Sequence, residues 1–342
     1  MQTGRDCARR AIEFKGPDRV PVCLSFDDKH EQDREFGRIA NARFEGDILI
    51  TEHADPLFRP GPGESDQWGC VWSSMGHTMG EVVNHPLEDW DAFDGWAERL
   101  PDFRESRRYD AIRRLRAAQP DKFLIGGMGM MMESIINFRG FDNFMTDLYL
   151  ERENLDRLID LLYRKAADAI DMYAEAGVDA VIAWEDWGLQ DRLMMRPSLW
   201  REIFKDRMAG MIRRIHDRGM KYVLHSCGHI VDLFYDFYEI GVDVLQLDQQ
   251  RNMGLDILGS RLKGRICLWC PADIQFTSGN RDIPAVEAYC SEMLRTLASP
   301  EGGFMYKPYP QPEAIEIPLD TMLAEIQFFK GAELNSGFTA AP

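Results

Sequence analysis

The 342-residue sequence lacks any excess of positive charge. It carries 40 Lys and Arg against 57 Asp and Glu, which gives a formal net charge of −17 at pH 7. Nucleic acids and anionic membrane surfaces are bound by clustered basic side chains that displace counterions. The charge balance therefore disfavours both as partners. The most basic stretch, 104–116, is interleaved with acidic residues, which is typical of a solvent-exposed helix face.

The sequence also lacks long apolar runs. No stretch approaches the roughly 20 uninterrupted apolar residues that a membrane span needs. The opening MQTGRDCARRAIEF has no apolar core of a signal peptide. The seven cysteines are odd in number and show no disulfide spacing. We therefore expect a soluble, cytoplasmic protein whose thiols are free for chemistry or for metal binding.

Internal repeats, low-complexity tracts and linkers are missing as well, so nothing in the sequence divides the chain. The composition, 45% hydrophobic and 28% charged, is that of a globular protein with ample material for a core. An α/β barrel can take up this length as one unit. We predict a single domain over 1–342, with a loose tail at 335–342.

What the sequence does contain is a succession of short β-rich runs, each followed by a helical pattern. Eight such runs occur, at 19–26, 46–52, 122–128, 178–185, 221–226, 242–247, 265–270 and 302–307. Gly177, Gly219 and Gly241 each stand between a helical pattern and the next strand, where a helix stop signal belongs. This order predicts a (β/α)8 TIM barrel.

One long interruption separates the second and third predicted strands. The segment 54–121 is rich in Pro and Gly at its start, has the pattern of a hairpin around 68–83, and ends in the arginine-bearing helix. Loops of this length are usually functional. We expect an insertion near the mouth of the barrel.

The residues just past each strand are the first candidates for function, because a parallel barrel builds its active site at the carboxyl ends of its strands. These positions are unusually polar. We expect the substrate to be contacted by residues from six of these ends, namely Asp27, His53, Met128, Gln246, Asp273 and Lys307.

The densest cluster of chemically active residues is the sequence HSCGH. His225 and Cys227 are two residues apart, so an extended backbone directs both side chains to the same side. A catalytic zinc ion accepts imidazole and thiolate ligands, needs a third protein ligand and keeps one position open. Cys270 and Glu185 are the candidates for that third position. Alternatively, His225 packs under a loop and the cysteines are small buried apolar residues. The spacing alone leaves both interpretations open.

Glu185 and Asp186 are adjacent at the end of the predicted fourth strand, so their side chains point in different directions. Either carboxylate is suited to ligate a metal or to transfer a proton, as is the imidazole of His229. The structural alternative is that one of the acids caps a helix or holds a loop through Arg192. We predict catalytic roles for Glu185, Asp186 and His229.

With these pieces placed, the sequence resembles the uroporphyrinogen decarboxylase superfamily, and within it the corrinoid-linked methyltransferase-like branch. The matching segments span nearly the whole chain and are EFKGPDRVPV, WGCVW, DAVIAWEDWGLQDRLMMRPSLWREIF, HSCGHIVDLFYDFYEIGVDVLQ, CPADIQ and GGFMYKP. True uroporphyrinogen decarboxylases carry an MRQAGR-type segment after the first strand. Here the corresponding stretch reads LSFDDKHEQDREFG, so the resemblance does not imply porphyrinogen decarboxylation.

The resemblance implies that His225 and Cys227 bind zinc. Coenzyme M methyltransferases add a cysteine after the glycine pair of the last strand, whereas this chain reads GGFMYKPYPQP there, with Pro310 near the expected place. The implied reaction moves a methyl group from a small donor of the methoxyaromatic, methylamine or betaine type to a corrinoid carried by a partner protein. Zinc would act on the leaving heteroatom, and the partner would dock near the 54–121 insertion.

Two other functions stay open. A cofactorless decarboxylase or lyase acting on a polycarboxylate requires a cationic pocket, whereas the predicted strand ends offer acids, His and Cys with only Lys307 in contrast. A non-catalytic corrinoid- or metal-binding accessory protein requires a closed pocket or a metal fully coordinated by protein.

Overall fold

The computed structural model describes residues 2–26, 31–52, 63–73, 80–129 and 132–334. The strands in these ranges are β1 Ile48–Glu52, β2 Val71–Ser73, β3 Glu81–Asn84, β4 Phe123–Gly127, β5 Ala180–Trp184, β6 Lys221–His225, β7 Val244–Gln246, β8 Cys267–Cys270 and β9 Phe304–Tyr306. The α-helices are α1 Gly4–Ile12, α2 Glu31–Arg43, α3 Phe93–Ala97, α4 Asp110–Ala118, α5 Met132–Arg139, α6 Phe141–Leu150, α7 Arg152–Ala176, α8 Pro197–Trp200, α9 Asp206–Asp217, α10 Phe234–Ile240, α11 Leu255–Leu262, α12 Ile274–Thr277, α13 Ile283–Leu297 and α14 Leu319–Gly331.

Seven of the strands form one parallel sheet in the order β1-β4-β5-β6-β7-β8-β9. Its edges meet at Val22 and Cys23, which form isolated parallel bridges to Tyr306 and Ile48 respectively. The sheet is thus curled and joined into a TIM-barrel-like fold. Each of its strands lies within a predicted run. The exception is the predicted first strand, 19–26, which is reduced to these two bridges. Pro21, next to them, has no N–H to extend a ladder.

Two hydrophobic clusters follow from the alternation of side chains along the strands. The inner cluster fills the barrel with one face of each strand, and its members include Ile48, Ile125, Ile182, Val223, Val244, Cys267, Trp269 and Met305. Ala8, Ala11 and Ile12 of α1 join this cluster. The outer cluster packs the opposite face of the strands against the surrounding helices. Whether a residue faces the barrel interior therefore depends on its position, odd or even, along its strand.

Between β1 and β4, β2 pairs with β3 in an antiparallel hairpin, as the sequence predicts. The 3-10 turn Ser106–Tyr109 and α4 follow. That this region is an insertion near the mouth stays a prediction. Among the described residues, no helix combines the length and the apolar character needed to cross a membrane.

Three aspartates, each just before a different strand, stabilise the amino-terminal side of the sheet. Asp47, Asp179 and Asp243 precede β1, β5 and β7, and each accepts a hydrogen bond from a backbone N–H of a neighbouring segment. The bonds run from Val22 N at 3.0 Å, Leu124 N at 3.0 Å and Tyr222 N at 2.8 Å. Because an N–H at the start of a strand needs a partner when it is buried, these carboxylates help to fix the register of the sheet.

Of these three aspartates, Asp179 pairs with the most arginines. Its fully buried carboxylate forms ion pairs with Arg5 at 2.8 Å, Arg9 at 2.9 Å and Arg116 at 2.6 Å. The prediction that the 104–116 arginines form a purely solvent-exposed face is therefore wrong for Arg116, because this buried carboxylate draws its guanidinium inward.

We predict that Asp179→Asn lowers the free energy of unfolding by about 2–3 kcal/mol. Breaking a buried ion pair typically costs about 3–5 kcal/mol, and the partial exposure of Arg5 and Arg9 reduces that figure. Urea unfolding measures the change, with the exposed Asp217→Asn as the charge-matched control. Equal unfolding midpoints for the two variants would show that Asp179 does not fasten the sheet.

Candidate metal centre at the carboxyl end of the sheet

His225 and Cys227 face one space at the end of β6, as their spacing predicts. Val223, two residues before His225, packs in the inner cluster, so His225 points to the barrel interior. Its Nε2 lies 3.4 Å from the Sγ of Cys227. The imidazole is 8% exposed and the thiol is partly exposed. The thiol thus retains contact with solvent, whereas the imidazole is nearly buried.

Asp186 completes a group of three possible ligands. Its Oδ1 lies 3.4 Å from His225 Nε2 and accepts a hydrogen bond of 2.8 Å from the backbone N–H of Cys227. One ligand atom from each of the three residues lies within 4.8 Å of the other two. Asp186 reaches this space because Trp184, two residues earlier, packs against the inner cluster.

The donor set fits a zinc ion. Bonds of 2.0–2.3 Å to a tetrahedral ion place neighbouring ligand atoms about 3.3–3.8 Å apart. The two separations from His225 Nε2, 3.4 Å to the sulfur of Cys227 and 3.4 Å to the oxygen of Asp186, lie in that range. Nitrogen, sulfur and carboxylate oxygen are all accepted by zinc. The described part of the chain offers three such ligands here.

Two glycines bring the loop after β5 against the loop after β6. A Cβ on Gly188 would lie 2.5 Å from the backbone nitrogen of His229, and a Cβ on Gly228 would overlap the carbonyl of Gly188. Gly228 also has a φ of +77°, which favours glycine. The N–H of His229 donates to the carbonyl of Leu189 at 2.7 Å. This close contact holds Asp186 beside Cys227.

A chain of polar side chains extends from His225 across the neighbouring strands. The Nδ1 of His225 forms a short hydrogen bond with Oε1 of Gln246, on β7. Gln246 donates through Nε2 to Oδ1 of Asp248 at 2.6 Å. Lys307, which follows β9, approaches the same oxygen at 3.4 Å. Gln246 and Lys307 were both predicted to contact substrate, and the structure gives each a partner within this chain.

The charges of the three candidate ligands are coupled. Burial opposes a charged imidazole, but Asp186 and Cys227 together raise the pKa of His225 well above its usual range. Burial also opposes ionisation of Asp186, yet His225 holds the pKa of that carboxyl below its ordinary value. Burial raises the pKa of the Cys227 thiol, an effect that His225 partly offsets. A metal ion at this place would therefore compete with the proton on the imidazole.

Glu185 does not join this centre. Its neighbour Trp184 faces the interior, so Glu185 points to the outer layer, where it lines a small cavity with Met132, Ile159 and Phe204. The N–H of Met132 donates to its Oε2 at 2.8 Å. Burial, with help from Glu133, raises the pKa of Glu185 well above its ordinary value. Its predicted roles as ligand and as catalytic acid are not supported by this position.

Cys270 is also absent from the group of three. Trp269 belongs to the inner cluster, so the next residue, Cys270, belongs to the outer one and is fully buried. Burial raises the pKa of its thiol. The alternation along β8 thus places this sulfur behind the sheet, whereas Asp186 lies beside His225 and Cys227 at the position that the sequence left open between Cys270 and Glu185.

The remaining predicted site residues have different surroundings. Met128 is fully buried in the outer cluster, on the wrong face of the sheet for substrate. Asp273 is fully buried and caps α12, accepting from Gln275 N at 3.0 Å and Phe276 N at 3.1 Å. His229 is partly exposed but lies outside the group of three. Asp27 and His53 lie outside the described residues.

Sequence reasoning missed Trp184, and of the polar pair Gln246 and Asp248 at the end of β7 it assigned a role only to Gln246. Trp184 ends β5, is partly exposed, points to the same side of the sheet as His225 and pairs with it in register. Asp248 follows Gln246 by two residues and lies on the same side. In both cases the signal was available, because each residue stands two positions from another interior-facing residue.

Several solved structures superpose on this chain with different scores. A methyltransferase from Methanosarcina mazei superposes with a TM-score of 0.66 at 16% identity, over 96% of this chain and 98% of that one. A B12-independent methionine synthase from Shewanella sp. W3-18-1 superposes with a TM-score of 0.41 at 12% identity, over 65% of this chain and 66% of that one. A D-psicose 3-epimerase from Clostridium cellulolyticum H10 superposes with a TM-score of 0.43 at 11% identity, over 91% of this chain and 97% of that one. The first likeness shows a shared fold, and the two lower scores add nothing to it.

A search of the curated proteins finds no match. The model of the uroporphyrinogen decarboxylase (URO-D) family, in contrast, matches residues 73–268, more than half of the chain. The match spans β4 to β7, and with them Asp186, His225 and Cys227. The chain belongs to the uroporphyrinogen decarboxylase family.

Proposed function

We propose that this protein is a zinc-dependent methyltransferase that moves a methyl group from a small methylated donor to a corrinoid carried by a partner protein. The observation that carries the proposal is the convergence of His225, Cys227 and Asp186 at the carboxyl end of the sheet. Such a set has the composition of a catalytic zinc site with an open position, in contrast to the closed coordination of a structural site.

The bound metal would supply a Lewis acid for the leaving heteroatom of the donor, which lowers the cost of the charge that develops there as the methyl group departs. His225, Cys227 and Asp186 would hold it through one atom each. Trp184 lies beside His225 and would offer an apolar face to the methyl-bearing part of the donor. His229, partly exposed near the same loop, is the proposed source of a proton for the leaving group.

The corrinoid partner would have to approach the open side of the centre, because the methyl group travels directly from the donor to the cobalt. We propose that it docks on the side of the sheet where the strands end. The segment between β1 and β4 is the proposed contact region, as the longest connection in the chain.

A decarboxylase or lyase acting on a polycarboxylate is the second candidate, and the family of the chain favours it. Such a substrate needs cationic groups. Lys307, the cation that the sequence places at the end of β9, is paired with Asp248 at 3.4 Å, and both side chains are nearly buried. The acid-rich surroundings of His225 support methyl transfer over this alternative. The third candidate, a non-catalytic accessory protein, requires a metal fully coordinated by protein, whereas the described residues bring three ligands together.

The ligand assignment predicts that purified protein binds about one zinc ion per chain, and that Cys227→Ser and Asp186→Asn each weaken binding at least tenfold. Cys270→Ser and Glu185→Gln are the matched controls, because the structure places these side chains behind the sheet. Metal analysis and competition with a chromogenic chelator measure the affinities. Loss of zinc in Cys270→Ser, with zinc retained in Asp186→Asn, would contradict the assignment.

The proposed reaction predicts methylation of a reduced corrinoid protein in the presence of one class among methoxyaromatics, methylamines and betaines. The cobalt spectrum reports the transfer directly. Trp184→Ala is expected to raise KM for that donor at least tenfold while the zinc content stays unchanged, and Trp184→Phe is expected to restore most of the loss. Failure with all three donor classes, together with carbon dioxide release from a polycarboxylate, would assign the chain to the lyases.

A further inference from the structure

We infer that Gln246 is a positioning residue that presents Nε2 of His225 to the metal, and that Asp248 fixes the orientation in which Gln246 does so. The inference rests on the zinc site proposed above and adds residues that do not touch the metal. It assigns Gln246 to the support of His225 in place of the substrate contact that the sequence suggested.

The two ring nitrogens of His225 have different partners. Nε2 faces Cys227 and Asp186 at 3.4 Å each, so this nitrogen must keep a free lone pair to bind a metal. Nδ1 faces Oε1 of Gln246 in a short hydrogen bond. An amide oxygen only accepts hydrogen bonds, so this contact requires the proton on Nδ1. The tautomer that Gln246 selects is therefore the one with Nε2 available.

The side-chain amide of Gln246 has an oxygen and an NH2 group of nearly the same shape. Turned by half a rotation, Gln246 would offer its NH2 group to Nδ1 and would favour the tautomer with a proton on Nε2, which cannot bind a metal. Asp248 prevents this, because its carboxylate accepts the Nε2 proton of Gln246 at 2.6 Å. The carboxylate has no proton to offer to an amide oxygen.

Asp248 is itself buried, with only 4% of its surface exposed. The ammonium group of Lys307 lies 3.4 Å from the same oxygen that Gln246 contacts. A buried carboxylate is costly unless it is paired, and the ion pair with Lys307 offsets part of that cost. The chain from Lys307 to His225 thus runs through three hydrogen-bonded or ion-paired contacts, each of which fixes the next.

Zinc affinity, measured by chelator competition, tests this inference in the full-length protein. Gln246→Leu is expected to weaken zinc binding about 10–100-fold, the usual effect of removing the hydrogen-bond partner of a metal-binding histidine. Gln250→Leu is the control, because Gln250 is equally buried but donates to the carbonyl of Leu247, away from the three ligands. We expect wild-type affinity from this control, and thermal melting of the metal-free proteins identifies any variant that fails to fold.

The exchange Gln246→Glu with Asp248→Asn gives a second, independent readout. A carboxylate at 246 accepts the Nδ1 proton in either orientation, and the amide at 248 then donates to it, so the total charge stays the same. This double variant is expected to bind zinc within about threefold of the wild type. Full affinity in Gln246→Leu, or a loss in the exchanged variant as large as in Gln246→Leu, would overturn the inference.

The readout does not depend on the methyl donor or on the corrinoid partner. A wild-type protein that binds no zinc would overturn the metal site and this inference together. Zinc binding that responds to Gln246 as described, without methyl transfer to any acceptor, would support the inference and contradict only the proposed reaction.

Discussion

The parallel register between β5 and β6 is the constraint on which the candidate centre depends. Trp184 stands opposite His225, and the N–H of Glu185 donates to the carbonyl of His225 at 2.9 Å. This register brings Asp186 level with Cys227, so that the two loops can meet at Gly188. A slip of one residue would turn the facing side chains to the opposite side of the sheet. At the other end of the strands, the carboxylates of Asp179 and Asp243 act on the neighbouring registers, β4 with β5 and β6 with β7.

The division between an inner and an outer layer then decides which polar residues can act together. His225, Gln246 and Asp248 share the inner side and form one connected network. Glu185 and Cys270, each one position away from an inner residue, are buried among apolar side chains behind the sheet. Burial raises the pKa of both groups, whereas the inner network pairs each charged group with an opposite or hydrogen-bonded partner.

Much of the fold could be predicted from the sequence, because seven strands with glycine-stopped helices between them follow a repeating local pattern. The shared side of His225 and Cys227 could be predicted for the same reason, since it needs only an extended backbone. The third ligand could not. Glu185 and Asp186 are adjacent, and the choice between them depends on how the strand ends and on the loop contact at Gly188. Likewise the partner of Nδ1 is set by the register of β7 against β6, which no local pattern reveals.

X-ray absorption at the zinc edge of the metal-loaded protein tests the central claim most directly, because it counts sulfur atoms around the metal. With His225, Cys227 and Asp186 as ligands, the spectrum should contain a single sulfur at about 2.3 Å and nitrogen or oxygen neighbours at about 2.0–2.2 Å. A shell with two sulfurs would require a second cysteine to enter the site and would contradict the account. A shell without sulfur would contradict it as well, since Cys227 would then lie beside His225 without binding the metal.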